Sequence, residues 1–420
     1  MLSLEFIRKN PDAVKRAAQL KGEPAPVDDI LRLDEAWRGH LHKAETIKAE
    51  QNELSKEFAR TRDEALKDRL RQMADTSKSE LSVADAVKRE LDDLLMRVPN
   101  VFHESVPIGE TEADNVVTRE WGSKPELGFP PRTHYDLGEA LGIMDFEHAA
   151  RIAGSRFAFL VGDGARLERA LVQFMLDVHT REHGYVELWT PMLVNSASMT
   201  GTANLPKFAD QLFKIEDRDL WLIPTAEVPV TNLHREEILD AERLPLKYVS
   251  YAPSWRTEAG AAGKDTRGFI RMHQFSKVEL VKVTSAETSL EEFEKLTRDA
   301  EDILQRLGLH YQVMAMCSGD MGFAQYKKYD LNAWAPGLDR YLEVSSCSTF
   351  NDFQAMRANI RYRAVRGTPP RFAHTINGSG LALPRTIDAV METYQRADGM
   401  VSVPDVLKPY MGGVELIGAR

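Results

Sequence analysis

The sequence predicts an α+β protein in which a long helical hairpin precedes a domain of mixed strands and helices. Residues 27 to 98 contain one glycine, Gly39, and no proline, and their apolar residues recur at helical spacing. Further along the chain, around residues 251–283, strand-like runs rich in β-branched residues are separated by glycine-rich loops, as in strand hairpins. The chain has 420 residues, which is enough for two or three domains with a substantial core.

Composition and charge exclude several classes of protein. The net charge of −10 argues against nonspecific coating of nucleic acid, although it leaves room for RNA bound at local basic patches. Two cysteines, Cys317 and Cys347, are too few for a disulfide framework or a four-thiolate metal site, so we expect a reducing, cytoplasmic location. There is no continuous apolar run long enough for a membrane span, and the N-terminal stretch lacks the apolar core of a secretory signal.

The N-terminal segment is predicted to be helical throughout. Residues 2 to 21 suggest one or two short amphipathic helices, with Asn10-Pro11-Asp12 as a helix start. Two apolar stripes of similar length follow and predict an antiparallel hairpin over residues 28–98 that turns near residues 61–66. Each helix would be about 45 Å long. The stripes consist of Ile30, Leu33, Trp37, Ala44, Ile47, Leu54 and Phe58, then Leu70, Met73, Ala84, Val87, Leu91, Leu94 and Val98, with polar interruptions at His40, Gln51, Ser77 and Glu80.

The tip of this hairpin is basic, through Lys56, Arg60, Arg62, Lys67, Arg69 and Arg71. Such charges are common on solvated helices, and the periodicity alone fits a dimerisation coiled coil or a helical bundle equally well. A tip that contacts RNA phosphates is the more specific hypothesis. A linker rich in turn-forming residues follows Pro99, and we place the domain boundary near residue 110, giving domains of residues 1–110 and 111–420.

Residues 154 to 184 are predicted to begin as a strand and continue as a long helix that ends at Gly184. This helix carries a match to the H-x-x-E-H zinc pattern at His179 and His183. A match this short is frequent by chance and a third ligand is not identifiable, so we interpret both histidines as flanking the helix end and expect no zinc.

Several later elements are also predicted from local patterns. A strand ends at Thr190-Pro191, and Thr225-Ala226-Glu227 follows an apolar strand as a possible helix N-terminus. Ser289 and Glu292 form a capping-box pattern at the start of a helix over residues 285–307. A strand pair comes next, and the second strand of that pair ends at Glu343, Ser345 and Ser346. Residues 372–395 predict a strand, a glycine turn at residues 377–380, and a helix that begins near Arg385.

Residues 251–283 predict a hairpin with an unusual charged face. Arg256 and Glu258 close the first strand, residues 259–263 form a loop, and Arg267 and Arg271 return on the second strand. Strand alternation places Arg271, His273, Phe275, Lys277 and Glu279 on one face. Burying that face is costly unless a ligand pairs its charges. Guanidinium groups match phosphate oxygens and a flat ring stacks on a base, so the pattern favours a nucleoside triphosphate.

The run RTEAGAAGKDTRGFIRMHQF, residues 256–275, resembles motif 2 of the class II aminoacyl-tRNA synthetases, and in particular its seryl-tRNA synthetase form. The segment around Pro191 resembles motif 1, whose proline lies at the dimer interface of these enzymes, and residues 372–395 resemble motif 3. The likeness extends in order over essentially the whole chain. It implies a mainly antiparallel class II sheet flanked by helices, a homodimer, and an N-terminal arm for the long variable arm of serine tRNA.

The resemblance also implies an activity and a set of site residues. ATP and L-serine would give seryl-adenylate, and serine would then move to the 3′ end of serine tRNA, with selenocysteine tRNA as a further possible acceptor. Arg256, Arg271 and Arg385 would be catalytic. The implied ATP site comprises Arg256, Thr257, Glu258, Met272, Phe275, Glu343, Val344, Ser345, Ser346 and Arg385. The implied serine site comprises Thr225, Ala226, Glu227, Arg256, Glu279, Asn377 and Ser379. Glu343 and Ser346 would hold Mg²⁺ or Mn²⁺, for which oxygen ligands are suited.

Three alternatives remain open at this point. A paralogue that charges a carrier protein, or has lost catalysis, usually lacks the arm or the motif arginines, and this sequence has both. A zinc-dependent seryl enzyme needs a cysteine ligand in its active site, for which Cys317 and Cys347 are poorly placed. A coiled-coil adaptor with a globular head would not explain three arginines at motif spacing.

Overall fold

The structure is a computed structural model that describes residues 1–259, 267–365 and 367–418. The chain forms two compact units, Met1–Val101 and Phe102–Arg420. The expected end of a tRNA-binding domain near residue 110 stays a prediction, since compactness alone does not define where a function ends.

The N-terminal unit is entirely helical in its regular structure. Two short helices, α1 (Leu4–Lys9) and α2 (Pro11–Leu20), precede the long helices α3 (Val27–Thr61) and α4 (Glu64–Leu95). Pro11 occupies the first turn of α2, where its missing N–H costs no hydrogen bond. The predicted hairpin and the position of its turn are therefore confirmed. Arg62 closes α3 in the left-handed conformation, and Asp63 caps α4 by accepting from the backbone N–H of Ala65.

The polar interruptions of the two stripes pair across the hairpin. His40 Nδ1 lies 2.6 Å from Glu80 Oε2, the Gln51 amide donates to the Leu70 carbonyl, and the Ser77 hydroxyl donates to the Ala44 carbonyl. These contacts satisfy groups that would otherwise be desolvated between the helices, and they distinguish one alignment of the two helices from others. The apolar stripe positions are buried or half-buried throughout, as predicted.

The second unit is organised around an eight-stranded sheet with the order β1-β10-β11-β12-β15-β9-β8-β4. Its strands are antiparallel to their neighbours, apart from the parallel pair β4 and β8, and this confirms the mainly antiparallel sheet. The strands are β1 (Val116–Trp121), β4 (Val186–Glu187), β8 (Leu246–Trp255), β9 (Gln274–Thr284), β10 (Tyr311–Ala315), β11 (Lys327–Ala335), β12 (Arg340–Thr349) and β15 (His374–Ala382).

Smaller strand pairs and helices surround this sheet. The helices are α5 (His134–Ala140), α6 (Phe146–Ala153), α7 (Asp163–Arg181), α8 (Ser196–Gly201), α9 (Glu227–Asn232), α10 (Ser289–Arg306), α11 (Phe353–Ala358) and α12 (Leu383–Thr393). The remaining strands are β2 (Met144–Asp145), β3 (Phe159–Leu160), β5 (Leu193–Val194), β6 (Trp221–Leu222), β7 (Ile238–Asp240), β13 (Arg361–Arg363), β14 (Arg371–Phe372), β16 (Val401–Ser402) and β17 (Leu416–Ile417). Among the described residues, none of the helices combines the length and the apolar character needed to cross a membrane.

The two faces of the sheet differ in character. Val278 and Leu280 of β9 are fully buried and join a core cluster with residues of α7, α10 and α12. Lys277 and Glu279 alternate with them along the strand and are also buried, on the opposite face. One face therefore supplies the main core, and the other presents charged groups to the candidate site.

Two β-bulges change which side chains share a face. The register of β12 against β11 shifts between Glu343 and Ser345, so that Glu343 pairs with Asn332 and Ser346 pairs with Asp330. Regular alternation would place residues three apart on opposite faces, whereas this extra residue brings Glu343 and Ser346 onto the same face. A second bulge in β15, between Ser379 and Leu381, pairs Ser379 with Glu279.

Several local predictions were wrong. A strand, β11, lies between the two strands that the sequence paired directly, and it pairs with both. Glu343 and Ser346 lie within β12 rather than at its end, and residues 377–380 lie inside β15 instead of forming a turn. These residues belong to strands because distant segments supply their backbone partners: Asn377 and Gly378 lie between β9 and β12, while Glu343 and Ser346 pair with β11.

The capping box and the second strand of the charged hairpin also need correction. Ser289 is the first residue of α10 and is buried, while the N-cap is Thr288, so the Ser289–Glu292 box does not form. The carboxylate of Glu292 pairs instead with Lys282 and Lys295. Strand β9 begins at Gln274, so Arg267 and Arg271 precede it. Most of the predicted loop over residues 259–263 lies outside the described residues.

Candidate active site

A cavity of about 620 Å³ opens on the charged face of the sheet. Its wall is formed by the end of β8 with the residues that follow it, by β9, β11, β12 and β15, and by the first turn of α12. Segments around residues 202–211 and 322–325 complete the wall. The following predicted site residues line it: Thr225, Glu227, Arg256, Glu258, Arg271, Met272, Phe275, Glu343, Ser346, Asn377, Ser379 and Arg385.

Arg256 and Phe275 face each other across the ends of β8 and β9. The guanidinium carbon of Arg256 lies 5.2 Å from the centre of the Phe275 ring, and Nε donates to the Pro224 carbonyl at 3.3 Å. The backbones are joined by a hydrogen bond from Arg256 N to the His273 carbonyl. The cation and the ring are therefore presented together, as phosphate and base recognition would require. His273 itself packs against Phe157 and Phe213, outside the cavity wall.

Glu258 and Arg271 form an ion pair at the edge of the cavity, with Nη1 and Oε2 3.4 Å apart. Glu258 has a φ of 52°, a left-handed conformation that costs a residue with a side chain about 1 kcal/mol or more. Arg267 lies elsewhere, over the ring of Tyr135 and near Asp136. Thus two of the three arginines of this hairpin, Arg256 and Arg271, reach the cavity.

Arg385 reaches the cavity from the third position of α12, behind Pro384. Its Nε donates to the Ile270 carbonyl at 3.1 Å, and its Nη1 donates to the Glu343 carbonyl at 2.8 Å. These two bonds hold a cation near a helix N-terminus, where the helix dipole opposes it. The cost of that placement is consistent with an anionic ligand in the cavity.

Glu343 lies between cations on the cavity wall. Arg385 Nη1 is 3.5 Å from Glu343 Oε2, and the Glu343 side chain remains 44 % exposed. Desolvation by the surrounding cavity wall raises the pKa of Glu343, but the positive charges of Arg385 and Lys328 outweigh it and leave that pKa lowered. Lys328 pairs with Asp330 at 3.0 Å on the neighbouring strand. The Glu343 carboxylate is therefore available to a cationic ligand at neutral pH.

Glu343 and Ser346 fit a hard divalent cation. The bulge in β12 brings a carboxylate and a hydroxyl onto the cavity side of one strand, and both are oxygen donors. Among the described residues, no group of three or more His, Cys, Asp or Glu is arranged to hold a metal ion. A cation here would take most of its ligands from phosphates and water, as Mg²⁺ does in nucleotide sites.

Two carboxylates and an amide form an acidic pocket next to these arginines. The Asn377 amide nitrogen donates to Glu227 at 2.9 Å and to Glu279 at 3.0 Å. Gln354 donates to the other oxygen of Glu227 at 2.7 Å, and Lys277 pairs with Glu279. Burial, and next the negative charge of Glu279, raise the pKa of Glu227 to about 7. The pocket is suited to a small ligand that carries a cationic group and a hydroxyl.

The other predicted residues contact neighbouring protein groups. The Thr225 hydroxyl accepts from the Glu227 backbone N–H at 3.2 Å, and Ala226 is the buried N-cap residue of α9. Val344 belongs to the core cluster, and the Ser345 hydroxyl donates to the Ser379 carbonyl at 2.6 Å. Thr257 donates to the Asp210 carbonyl. The side chains of Thr257, Val344 and Ser345 are thus directed to neighbouring protein groups, and the Thr257 N–H donates to the Gln211 carbonyl, so a ligand contact from these residues would use other backbone atoms.

Sequence reasoning missed several residues of the wall. Lys328 and Gln325 line the cavity, and Gln354 holds Glu227, although none was predicted for the site. Lys277 was placed on the charged face but not assigned to a ligand. Lys328 lies on β11, the strand that the sequence did not reveal. The alternation of lysine and aspartate at Lys328 and Asp330 is the signal that would have found it.

The zinc-like motif forms a hydrogen-bonded chain within the fold. His179 is fully buried, with Nε2 3.2 Å from the Gly380 carbonyl and Nδ1 3.0 Å from His183 Nδ1. His183 Nε2 lies 3.1 Å from Asp302. Burial lowers the pKa of His179 to about 3, so this ring stays neutral. Both histidines therefore tie the end of α7 to the bulge of β15 and to α10.

The antiparallel sheet, the arginines from three separated segments and the acidic pocket together define a class II aminoacyl-tRNA synthetase. Residues 212–394 match a family model described as tRNA synthetase class II core domain (G, H, P, S and T), and residues 1–102 match the seryl-tRNA synthetase N-terminal domain. The chain belongs to the seryl-tRNA synthetases, the serine–tRNA ligases.

Relatives and solved structures agree along the whole chain. It is 52 % identical over 416 residues to a serine–tRNA ligase of Caldanaerobacter subterraneus subsp. tengcongensis, covering 98 % of both chains. It is 50 % identical to the enzyme of Pelotomaculum thermopropionicum, covering 100 % of both. The seryl-tRNA synthetase of Pyrococcus horikoshii, solved with ATP, is 38 % identical with a TM-score of 0.95, covering 99 % of both chains. The cytoplasmic enzyme of Naegleria fowleri, solved with AMP, is 33 % identical with a TM-score of 0.89, covering 97 % of this chain and 95 % of that one.

Proposed function

We propose that this cavity activates L-serine with ATP and then transfers the seryl group to the 3′ end of serine tRNA. One observation carries the proposal: three arginines and an aromatic ring share a single cavity with a buried acidic pocket. The arginines and the ring suit a nucleoside triphosphate, and the acidic pocket suits the ammonium and hydroxyl groups of serine.

The first step needs no enzyme nucleophile, because the serine carboxylate already carries the attacking oxygen. That oxygen forms a bond to the α-phosphorus of ATP, and the bond from that phosphorus to the bridging oxygen of pyrophosphate breaks. The protein therefore acts by positioning and by stabilising charge. In the second step a terminal ribose hydroxyl of the tRNA attacks the seryl carbonyl, and AMP leaves.

Each arginine has a proposed role in the first step. Arg256, at the junction of the two halves of the cavity, holds the α-phosphate as negative charge builds on it. Arg271 and Arg385 hold the terminal phosphate of a bent ATP, and the Phe275 ring stacks on adenine. Met272 packs beside the base. Thr257, Val344 and Ser345 contribute backbone contacts, because their side chains are turned toward other protein groups.

Glu343 and Ser346 would hold Mg²⁺ or Mn²⁺ against the phosphates. The cation, when bound, neutralises phosphate charge and favours departure of pyrophosphate. Arg385 donates to the Glu343 carbonyl, so the residue proposed to hold the terminal phosphate also contacts the strand that carries the proposed cation ligands, Glu343 and Ser346.

Serine selection is proposed to rest on unpaired polar groups. Glu227, Glu279 and Asn377 already satisfy part of their hydrogen bonding among themselves. The side-chain oxygen of Asn377, Oδ1, is buried and, in the described part of the chain, has no hydrogen-bond partner. A ligand without a hydroxyl leaves such groups unpaired, which rejects alanine strongly. Thr225, Ala226 and Ser379 limit the size of the pocket, so that threonine is excluded.

The partners are proposed on separate grounds. Serine tRNA would contact the basic tip of the α3–α4 hairpin, where Arg60, Arg62, Arg69 and Arg71 are exposed. A homodimer would form through the sheet edge at β4, where Val186 is 57 % and Trp189 is 86 % exposed. Such an interface would protect the open edge of the sheet at β4 and would cover the exposed side chains of Val186 and Trp189. A cytoplasmic location follows from an activity that serves translation.

ATP–pyrophosphate exchange with each of the twenty amino acids tests the proposal. We expect exchange with L-serine, and background exchange with threonine, alanine and the others. Exchange that depends on a different amino acid, or the absence of exchange from well-folded protein, would contradict the assignment. Aminoacylation of serine tRNA then tests the second step.

A further inference from the structure

A buried histidine lies directly behind the cavity wall. His134, the first residue of α5, is fully buried, and so are two carboxyl side chains of α12, Asp388 and Glu392. Glu392 Oε1 accepts from His134 Nδ1 at 2.8 Å and from the His134 backbone N–H at 2.9 Å. Its other oxygen accepts from the backbone N–H groups of Gly337 and Leu338. Four donors therefore converge on one carboxylate, and this fixes the proton of the neutral imidazole on Nδ1.

The other ring nitrogen, Nε2, faces Phe269, in the segment that precedes strand β9. With the proton on Nδ1, His134 Nε2 is an acceptor, and the Phe269 backbone N–H points at it across 3.3 Å. The carbonyl of the next residue, Ile270, accepts from Arg385 Nε. Two consecutive residues, Phe269 through its N–H and Ile270 through its carbonyl, are thus tied to side chains that α12 carries or orients. The two residues after them, Arg271 and Met272, line the cavity.

Gly268 makes this approach possible. It has a φ of 74°, and a Cβ atom there would overlap His134 Nε2 and contact the ring of Tyr135. A residue with a side chain would therefore be strained in its backbone and would also displace the imidazole.

We propose that His134 is a positioning residue for ATP: it accepts the Phe269 N–H and so holds the 269–272 backbone where Arg271 and Met272 meet the nucleotide. This rests on the proposed ATP site. His134 itself contacts no substrate, so its effect must pass through the backbone it holds.

The proposal includes a dependence on pH. A second proton on His134 would turn Nε2 into a donor, which cannot accept from Phe269 and would face Asp388 Oδ2, 3.5 Å away. The groups that act on the ring are Asp388 and Glu392 of α12 and Arg340 of β12. Burial opposes protonation, but the two carboxylates outweigh burial and Arg340 and raise the pKa of His134. We therefore expect the 269–272 segment to loosen as the pH falls through that pKa.

Hydrogen exchange of the peptide that contains Phe269 tests this hydrogen bond without relying on activity. We expect the Phe269 amide to exchange faster in His134→Ala and in Gly268→Ala than in the wild-type protein. In His134→Gln it should stay protected, since the glutamine amide offers a donor to Glu392 and an acceptor to Phe269. His310→Ala is the matched control: His310 is also buried, between the Trp121 carbonyl and the Tyr341 hydroxyl, away from the cavity wall. Unchanged protection in both His134→Ala and Gly268→Ala would overturn the proposal.

Kinetics separate a positioning role from a purely structural one. His134→Ala should raise KM for ATP in pyrophosphate exchange about tenfold, the effect of removing one hydrogen bond, with a smaller change in KM for serine. His134→Gln should restore KM and abolish the wild-type rise in KM for ATP at acid pH. If His134→Ala does not fold, Gly268→Ala takes its place. A lowered melting temperature with KM for ATP and its pH profile unchanged would show that the residue only stabilises the fold. Absence of exchange in the wild-type protein would instead refute the proposed function and leave the hydrogen-exchange result standing.

Discussion

Glu227 and Glu279 share one hydrogen-bond donor, the amide nitrogen of Asn377, at 2.9 and 3.0 Å. Two carboxylates held this close repel each other, and Lys277 offsets only the charge of Glu279 directly. A ligand that brings an ammonium group to this pair would relieve the repulsion. The arrangement therefore links the choice of amino acid to the charge of the pocket.

Replacing Glu279 should impair serine binding more than ATP binding. Glu279→Ala removes one carboxylate and leaves Lys277, which is 7 % exposed, without its buried partner. We expect serine-dependent exchange to fall at least about a hundredfold, as when a group that pairs a substrate is removed, while the Kd for ATP stays within a few-fold. Calorimetry with each ligand measures both. Glu279→Gln controls for shape, and retained serine affinity in both variants would argue against the role.

Serine affinity should fall as the pH drops through about 7, the pKa that burial and Glu279 give to Glu227. Below that pH Glu227 gains a proton in the free enzyme, and the neutral group attracts the serine ammonium less. Binding and ionisation are thus linked, and affinity rises with pH until Glu227 is fully ionised. Calorimetry from about pH 6 to about pH 8 would measure the change, since the serine ammonium stays protonated there. Glu227→Gln should bind serine weakly and with little pH dependence; a wild-type slope in that variant would assign the titration elsewhere.

Arg256→Ala should lower the rate of pyrophosphate exchange about a hundred- to a thousandfold, because the charge that builds on the α-phosphate is left without its stabilising partner. The melting temperature should change little, since the Arg256 side chain is exposed to the cavity and its hydrogen bond to the Pro224 carbonyl spans 3.3 Å. Arg267→Ala is the matched control, an arginine of the same hairpin that lies over Tyr135 instead. Normal exchange by Arg256→Ala would remove the proposed role.

Neutralising the hairpin tip should weaken the use of tRNA and leave amino acid activation intact. With Arg60, Arg62, Arg69 and Arg71 changed to glutamine, we expect a higher KM for serine tRNA in aminoacylation. The slope of log KM against the logarithm of the salt concentration should also decrease, by about one unit for each phosphate that an arginine no longer neutralises. Arg32→Gln, near the start of α3 and paired with Asp29, is the control. A uniform drop in pyrophosphate exchange in the tip variant would point to misfolding rather than to tRNA contacts.

Trp189→Glu should convert a dimer into a monomer. The side chain is 86 % exposed beside the edge strand β4, and a charge there would be buried without a partner in the proposed interface. Sedimentation velocity measures the state directly. Val116→Glu, on β1 at the opposite edge of the sheet, should remain dimeric. If the wild-type protein sediments as a monomer at micromolar concentration, the proposed interface is wrong.

Local sequence patterns succeeded where one periodicity governs a long element. The helical spacing of the N-terminal stripes located α3, α4 and the turn between them, since burial of one stripe per helix decides that structure. Along β9, alternation correctly grouped Phe275, Lys277 and Glu279, because β9 itself carries no extra residue: its pairing with β8 is regular, and the bulge in its pairing with β15 lies in β15. It failed for His273, which precedes the strand and packs outside the cavity.

The sequence by itself determined the amphipathic elements, the order of the motifs and the chemical types in the site. Side-chain periodicity and local turn chemistry are properties of short segments, and they do not depend on what lies across the sheet. Only the tertiary structure decided that Glu343 and Ser346 share a face and that Lys328 joins them. It also placed His134 behind Phe269. Bulges and the order of strands arise from pairing between residues far apart in the chain, and no single segment encodes that pairing.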